Sequence, residues 1–290
     1  MKKLLLFLVM SILFQGIHAS AQAPDFSQLD GQPYDIKSDP DIDMFFSSWK
    51  ESMPRHSFGS LIERDIFTAC GDDPLHPDER GAVLSYFKRF SHASLHARGS
   101  TTPTALDGEQ IIFYIDSGHG KIKTDNKTDD LYEGIGVIMP PGLEFILENS
   151  GDEPLTMYVI VEAVKPGFKA NTDMLVRDEN VLPVAGEKLG HWNHIYKKLF
   201  WKDDGLATAI GMGPVWFDPM TMGQPHSHNE GNEEIWFALN GNITILLGKE
   251  IRKLEPGSAY KVPPNGNTPH STINVTDKPI KVFWLMKVPD

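Results

Sequence analysis

The sequence predicts an all-β protein made of two tandem barrels, and three observations predict it. From about residue 58 onward, short β-branched and aromatic runs alternate with Gly, Pro, Asn and Asp, the pattern of a sandwich or barrel. These runs also repeat: Gln110-Ile-Ile-Phe-Tyr-Ile-Asp-Ser-Gly118 parallels Glu233-Glu-Ile-Trp-Phe-Ala-Leu-Asn-Gly241. Further on, Ile138-Met-Pro-Pro-Gly142 with its sequel to Asn149 parallels Val262-Pro-Pro-Asn-Gly266 with its sequel to Asn274, and a repeat of this length is one domain of ordinary size. Finally, a chain of 290 residues with 40% hydrophobic and 23% charged side chains can bury two such cores.

The elements follow in order. Lys2 and Lys3 precede the apolar run Leu4 to Phe14, which is about half the length a membrane span needs and matches a signal peptide. The small-x-small sites in Ala19-Ser20-Ala21-Gln22-Ala23 place its end at residue 23, so the mature chain is expected to be exported, periplasmic or secreted. Residues 24–57 read as an arm, with a helix from Asp41 to Met53 that Asp39 or Asp41 caps and Pro54 stops, packed on the first barrel. Residues 58–164 make that first barrel, and residues 165–189, with Pro166, Gly167, Pro183 and Gly186, the linker. Residues 190–290 make the second barrel.

Charge excludes some partners. Without Lys2 and Lys3 the 27 basic residues become 25 against 39 acidic ones, so the net charge of −12 becomes −14, which repels nucleic acid and, once the signal is removed, membranes. The single thiol, Cys70, has no partner for an internal disulfide.

The chemistry gathers in the second barrel. His226-Ser227-His228 sets two imidazoles two residues apart, on one face of an extended chain. Glu233 and Glu234 open the next strand, and Gly257-x6-Pro264-x-Gly266-x3-His270-x3-Asn274 offers a further imidazole from a third. Three neutral imidazoles and a carboxylate suit one divalent ion of Zn, Mn, Ni, Co or Fe.

These residues resemble the two motifs of the cupin superfamily, G-x5-H-x-H-x(3,4)-E-x6-G and G-x5-P-x-G-x2-H-x3-N. The resemblance implies two double-stranded β-helix (cupin, jelly-roll) barrels, a bicupin. It also implies metal ligands at His226, His228, Glu234 and His270. The chain departs from the pattern in having no glycine six residues before His226, a five-residue gap from His228 to Glu234, and second-motif gaps longer by one. Glu233 therefore remains a rival ligand. Glu234 is preferred because six residues separate it from Gly241, and because alternation puts only one of the two inside. In the first repeat, Pro103, Ala105, Ile111 and Phe145 fall opposite the four ligands, so that barrel is expected to be structural. His92 and His96 read as loop histidines.

Around the metal, Trp236 shares the inward face of Glu234, Trp216 and Phe217 lie on the strand leading to His226, and Tyr260 and Glu233 are the candidate general acid and base. The function these imply is that of an exported metal-dependent enzyme, a monomer or homodimer. It would act on a small-molecule substrate, a sugar or organic acid, as a lyase or isomerase of sugar-acid type with the metal as Lewis acid. A dioxygenase using Fe(II) and a non-catalytic metal- or carbohydrate-binding protein are the alternatives.

Overall fold

The computed structural model describes residues 34–185 and 194–289; the expected signal peptide, the start of the arm and the end of the linker lie outside them. Among the described residues there is no α-helix, and the chain forms two large and two small antiparallel-rich sheets. The first large sheet runs Leu175–Asp178, Ile135–Met139, Glu109–Ser117, Leu155–Ala163, Phe87–Leu95, Leu61–Ala69, Arg55–Ser57. The second runs Phe46–Ser48, Ser258–Lys261, Glu233–Asn240, Ile280–Lys287, Gly211–Phe217, His194–Tyr196. Each is backed by a small sheet, Ile146–Asn149 with Gly120–Lys123 and Thr128–Leu131 in the first barrel. In the second it is Thr221–Met222, His270–Asn274, Ile243–Leu247 and Glu250–Leu254.

The repeat seen in the sequence is a repeat of structure. Gly118 and Gly241 end equivalent strands at φ of +90° and +68°, where a side chain would be strained. Asn149 donates its amide to the carbonyls of Leu95, His96 and Glu153. Asn274 donates likewise to Phe217, Asp218 and Lys278. Each Asn side-chain oxygen also accepts the amide two residues on, from Gly151 or Thr276, so one buried residue ties three chain segments together in each barrel.

The arm departs from expectation. Asp41 to Met53 is not a helix but a 3-10 turn Ile42–Phe45, a strand Phe46–Ser48 and a second turn Trp49–Glu51. Phe45, which ends the first turn, and Phe46, which opens the strand, are both buried. The strand pairs with Ser258–Lys261, Phe46 opposite Tyr260, so the arm extends the sheet of the second barrel as well as lying against the first. The segment expected as linker does the reciprocal thing, because Leu175–Asp178 pairs with Ile135–Met139 of the first barrel. The strand that precedes each barrel thus completes the sheet of the other, and both edges are covered.

Between the large sheets lies an aromatic seam, with Tyr158 and Phe237 centroids 4.4 Å apart, Phe90 and Phe237 4.7 Å, and Tyr114 and Phe283 4.6 Å. Buried polar contacts lock it. Glu233 accepts the amides of Ser85, Tyr86 and Phe87, while Glu162 accepts those of Ala207, Thr208 and Ala209 at 3.0, 3.0 and 2.9 Å. Gln110 also accepts Ala207 and donates to the Gly205 carbonyl. Each barrel therefore holds the loop that leads into the equivalent strand of its neighbour.

Candidate metal centre

His226 is placed by a bridge to His270, whose backbones exchange hydrogen bonds of 3.3 and 2.9 Å. It lies in extended chain outside any strand, as does His228, while His270 opens the strand His270–Asn274 and Glu234 sits in Glu233–Asn240. The three imidazole rings stand 4.4 to 5.0 Å apart by centroid. One nitrogen of each lies within 4.8 Å of the others. Glu234 Oε2 lies 2.8 Å from both His228 Nε2 and His270 Nε2, so the structure brings all four residues to one point.

The surroundings orient these groups. His226 Nδ1 is 2.9 Å from the Gln224 carbonyl and must donate to it, which leaves Nε2 with its lone pair. Trp284 donates its indole N–H to Glu234 Oε1. Burial works to raise the pKa of Glu234, yet His228 and His270 outweigh it and hold the carboxyl well below the usual range. Burial lowers the His270 pKa against the pull of Glu234, so that ring favours the neutral, ligating form. A carboxylate and imidazoles this buried, 2% exposed at Glu234 and 1% at His270, are costly unless paired or bound to an ion. Nitrogen donors with one carboxylate are a donor set for a divalent transition ion, so the residues fit a metal.

The structure resolves the other expectations individually. Glu233 faces away from this point, with its carboxylate on the Ser85–Phe87 amides and 3.5 Å from Lys261 Nζ. Strand alternation separates it from Glu234, which corrects both its rival ligand role and its expected role as proton carrier. Tyr260 is fully buried and lines a small cavity beside His226 and His270, its hydroxyl 3.1 Å from Thr272 Oγ1. Burial lifts its pKa well above the ordinary value, so it keeps its proton. Trp236 and Phe217 line the same cavity. Trp216 does not, since its ring lies under Lys197 Nζ and Lys281 Nζ, each 5.5 Å away.

His194, Gln224 and Thr272, which nothing in the sequence singles out, also line that cavity. Burial pushes His194 down to about 4, so it is neutral near pH 7. No motif marks it; it opens the short strand His194–Tyr196, paired opposite Phe217. The cavity measures about 10 Å3, room for about one water.

Among its described residues the first barrel has no such centre. Thr104 bridges Phe145 as His226 bridges His270, so the residue opposite His226 is Thr104 and not its neighbour Pro103. Ile111 and Phe145 are buried in the barrel's apolar interior, where Phe113 and Phe58 rings pack on Phe145 at 5.6 and 5.5 Å. His92, far from being a loop residue, is buried in the strand Phe87–Leu95 and stacks on Trp49 at 4.5 Å.

Residues 215–286 match the family model of the cupin domain. No curated protein matches the chain significantly. Among solved structures, protein Ylba from E. coli is similar at 13% identity and a TM-score of 0.61, covering 84% of this chain and 91% of its own. A mutant of Bacillus subtilis oxalate decarboxylase OxdC gives 12% and 0.62, over 84% and 77%. Vicilin from Corylus avellana, hazelnut, gives 10% and 0.63, over 84% and 85%. At these identities the likeness is one of fold.

Proposed function

For a chain whose residues 215–286 match the cupin domain and whose two barrels repeat one fold, we propose an exported metal-dependent enzyme that acts on a small oxygenated acid or sugar. The reading rests on one observation: His226, His228, Glu234 and His270 converge beside a small, partly open cavity that a proton-bearing Tyr260 and a neutral His194 line. The favoured reaction is of lyase or isomerase type on a sugar acid.

The bound metal would supply Lewis acidity toward a carbonyl or carboxylate. The protein's own residues do the rest. The Gln224 carbonyl fixes the tautomer of His226 and the Trp284 indole fixes Glu234. Tyr260, hydrogen-bonded to Thr272, keeps its proton and would offer its phenolic O–H as a hydrogen-bond donor to a substrate oxygen. Trp236 and Phe217 would keep bulk water off that contact. A cavity with room for about one water admits no more than a single oxygen of a substrate carboxylate or hydroxyl.

Proton NMR of uronates and small hydroxy or oxo acids incubated with metal-loaded protein tests the proposal. New resonances that vanish with His226→Ala/His270→Ala support it; unchanged spectra across these substrates overturn it. Oxygen uptake on substrate addition would instead establish the Fe(II) dioxygenase. Export is supported by the charged and apolar leader Lys2 to Phe14 and is tested by fractionating cells that express the full chain.

A further inference from the structure

Two buried polar atoms near the imidazoles have no hydrogen-bond partner among the described residues: the indole nitrogen Nε1 of Trp236 and the amide oxygen Oε1 of Gln224. Their residues are 6% and 7% exposed, and both line the small cavity beside His226 and His270. They reach it from different parts of the chain. Trp236 belongs to the strand Glu233–Asn240, two residues beyond Glu234 and on the same face, while Gln224 lies in the segment that leads to His226. The Gln224 backbone carbonyl accepts from His226 Nδ1, a bond that does not engage its side-chain amide.

A buried donor and a buried acceptor left unmet are costly, and folded proteins meet nearly all of theirs. The cavity has room for about one water, so a single oxygen atom has to serve both groups. An indole N–H only donates, and an amide oxygen only accepts. The oxygen between them must therefore accept from Trp236 and donate to Gln224. A water does both, and so does a hydroxyl. A carboxylate or keto oxygen only accepts, and would leave Gln224 Oε1 unmet.

We infer that Trp236 and Gln224 form a hydroxyl-selecting pair beside the metal centre, so that the substrate is a hydroxy acid whose alcohol oxygen enters this cavity. The inference rests on the metal-dependent reading above and narrows its substrate class. A substrate hydroxyl replaces water there without losing either bond, whereas a keto oxygen keeps one and a methylene neither. Oxo and deoxy analogues are thus rejected, because a site built to pair a hydroxyl is left with buried polar groups unpaired when the hydroxyl is absent.

Isothermal titration of the metal-loaded protein with lactate, pyruvate and propionate, which carry a hydroxyl, a keto group and neither on the same acid skeleton, tests the inference. Lactate should bind about tenfold or more tighter than either analogue, equivalent to about 1.4 kcal/mol. A hydroxyl also adds an oxygen that a metal can bind, so the decisive quantity is how the advantage changes in variants. Trp236→Phe keeps a ring and removes the N–H; Gln224→Met keeps the length and removes the amide. Each should cut the advantage by about fivefold or more, with the metal content of the wild type in elemental analysis. Equal binding of the three acids, an advantage that both variants retain, or no saturable heat up to about 10 mM would overturn the inference. So would tighter binding of pyruvate, which would mean that the amide turns its NH2 to the cavity, or loss of the metal from both variants, the mark of a structural role. Turnover seen by proton NMR alongside any of these results would leave the enzyme reading standing. A hydroxyl preference without turnover would keep the pair and overturn only that reading.

Discussion

Glu162 gives the fold a built-in dependence on pH. Its carboxyl is fully buried, and burial raises its pKa from 4.5 to about 7, although the amides of Ala209, Thr208 and Ala207 and the charge of Lys287 act in the opposite direction. A carboxyl whose pKa is higher in the folded state binds its proton more tightly there. Its contribution to stability is complete below about pH 4.5 and is lost as pH rises through about 7. The difference of about 2.5 units, at 1.36 kcal/mol each, makes the loss about 3 kcal/mol. The perturbation is Glu162→Gln, which keeps the shape and cannot ionise. Urea unfolding of both proteins between about pH 5 and about pH 8 measures stability, and only the difference between them matters, since every other titrating group cancels. Across that range the wild type should lose about 2–3 kcal/mol relative to the variant. Parallel pH profiles would refute the reasoning, and a wild type that gains on the variant as pH rises would show that the three amides prevail over burial.

Three further outcomes follow from the same structure. His226→Ala/His270→Ala should abolish bound metal in elemental analysis of the purified protein, and the wild type should gain melting temperature on metal addition while the variant does not. Trp284→Phe removes the indole that holds Glu234; metal affinity by competition with a chelator should fall about 10-fold or more, as for other residues that orient ligands. Asn274→Ala leaves the Phe217, Asp218 and Lys278 carbonyls without their donor. It should cost about 2–4 kcal/mol in chemical denaturation, and Asn149→Ala in the first barrel a similar amount, because its bonds are the same in kind.

What could be read in the sequence depended on the range of the interaction. The repeat was legible because turn glycines, Asn149 and Asn274 answer local backbone needs that recur at fixed spacing. The gathering of His226, His228, Glu234 and His270 followed from side chains whose type leaves little other use for them, and strand alternation together with the spacing to Gly241 separated Glu234 from Glu233. The strand Phe46–Ser48 was not legible, because its state is set by the open edge of Ser258–Lys261, more than two hundred residues away, and its local spacing mimics a helix. Trp216 and Phe217 were read together, though in a strand two neighbours cannot face the same cavity. His194 carries no signature, since only the assembled barrel brings it to the cavity.

The exchanged strands decide what can be removed from this molecule. Neither barrel is a unit that could be excised, because each would leave behind the strip of chain that seals its own sheet and the carboxylate or amide that anchors its own loop. An isolated second barrel, metal ligands intact, would present the bare Ser258–Lys261 edge and unclaimed amides at Ala207 to Ala209. The first barrel, without a ligand set of its own among the described residues, thereby supplies margins that complete the metal-ligand-bearing half, and its interior is free to drift in composition so long as those margins keep their grip.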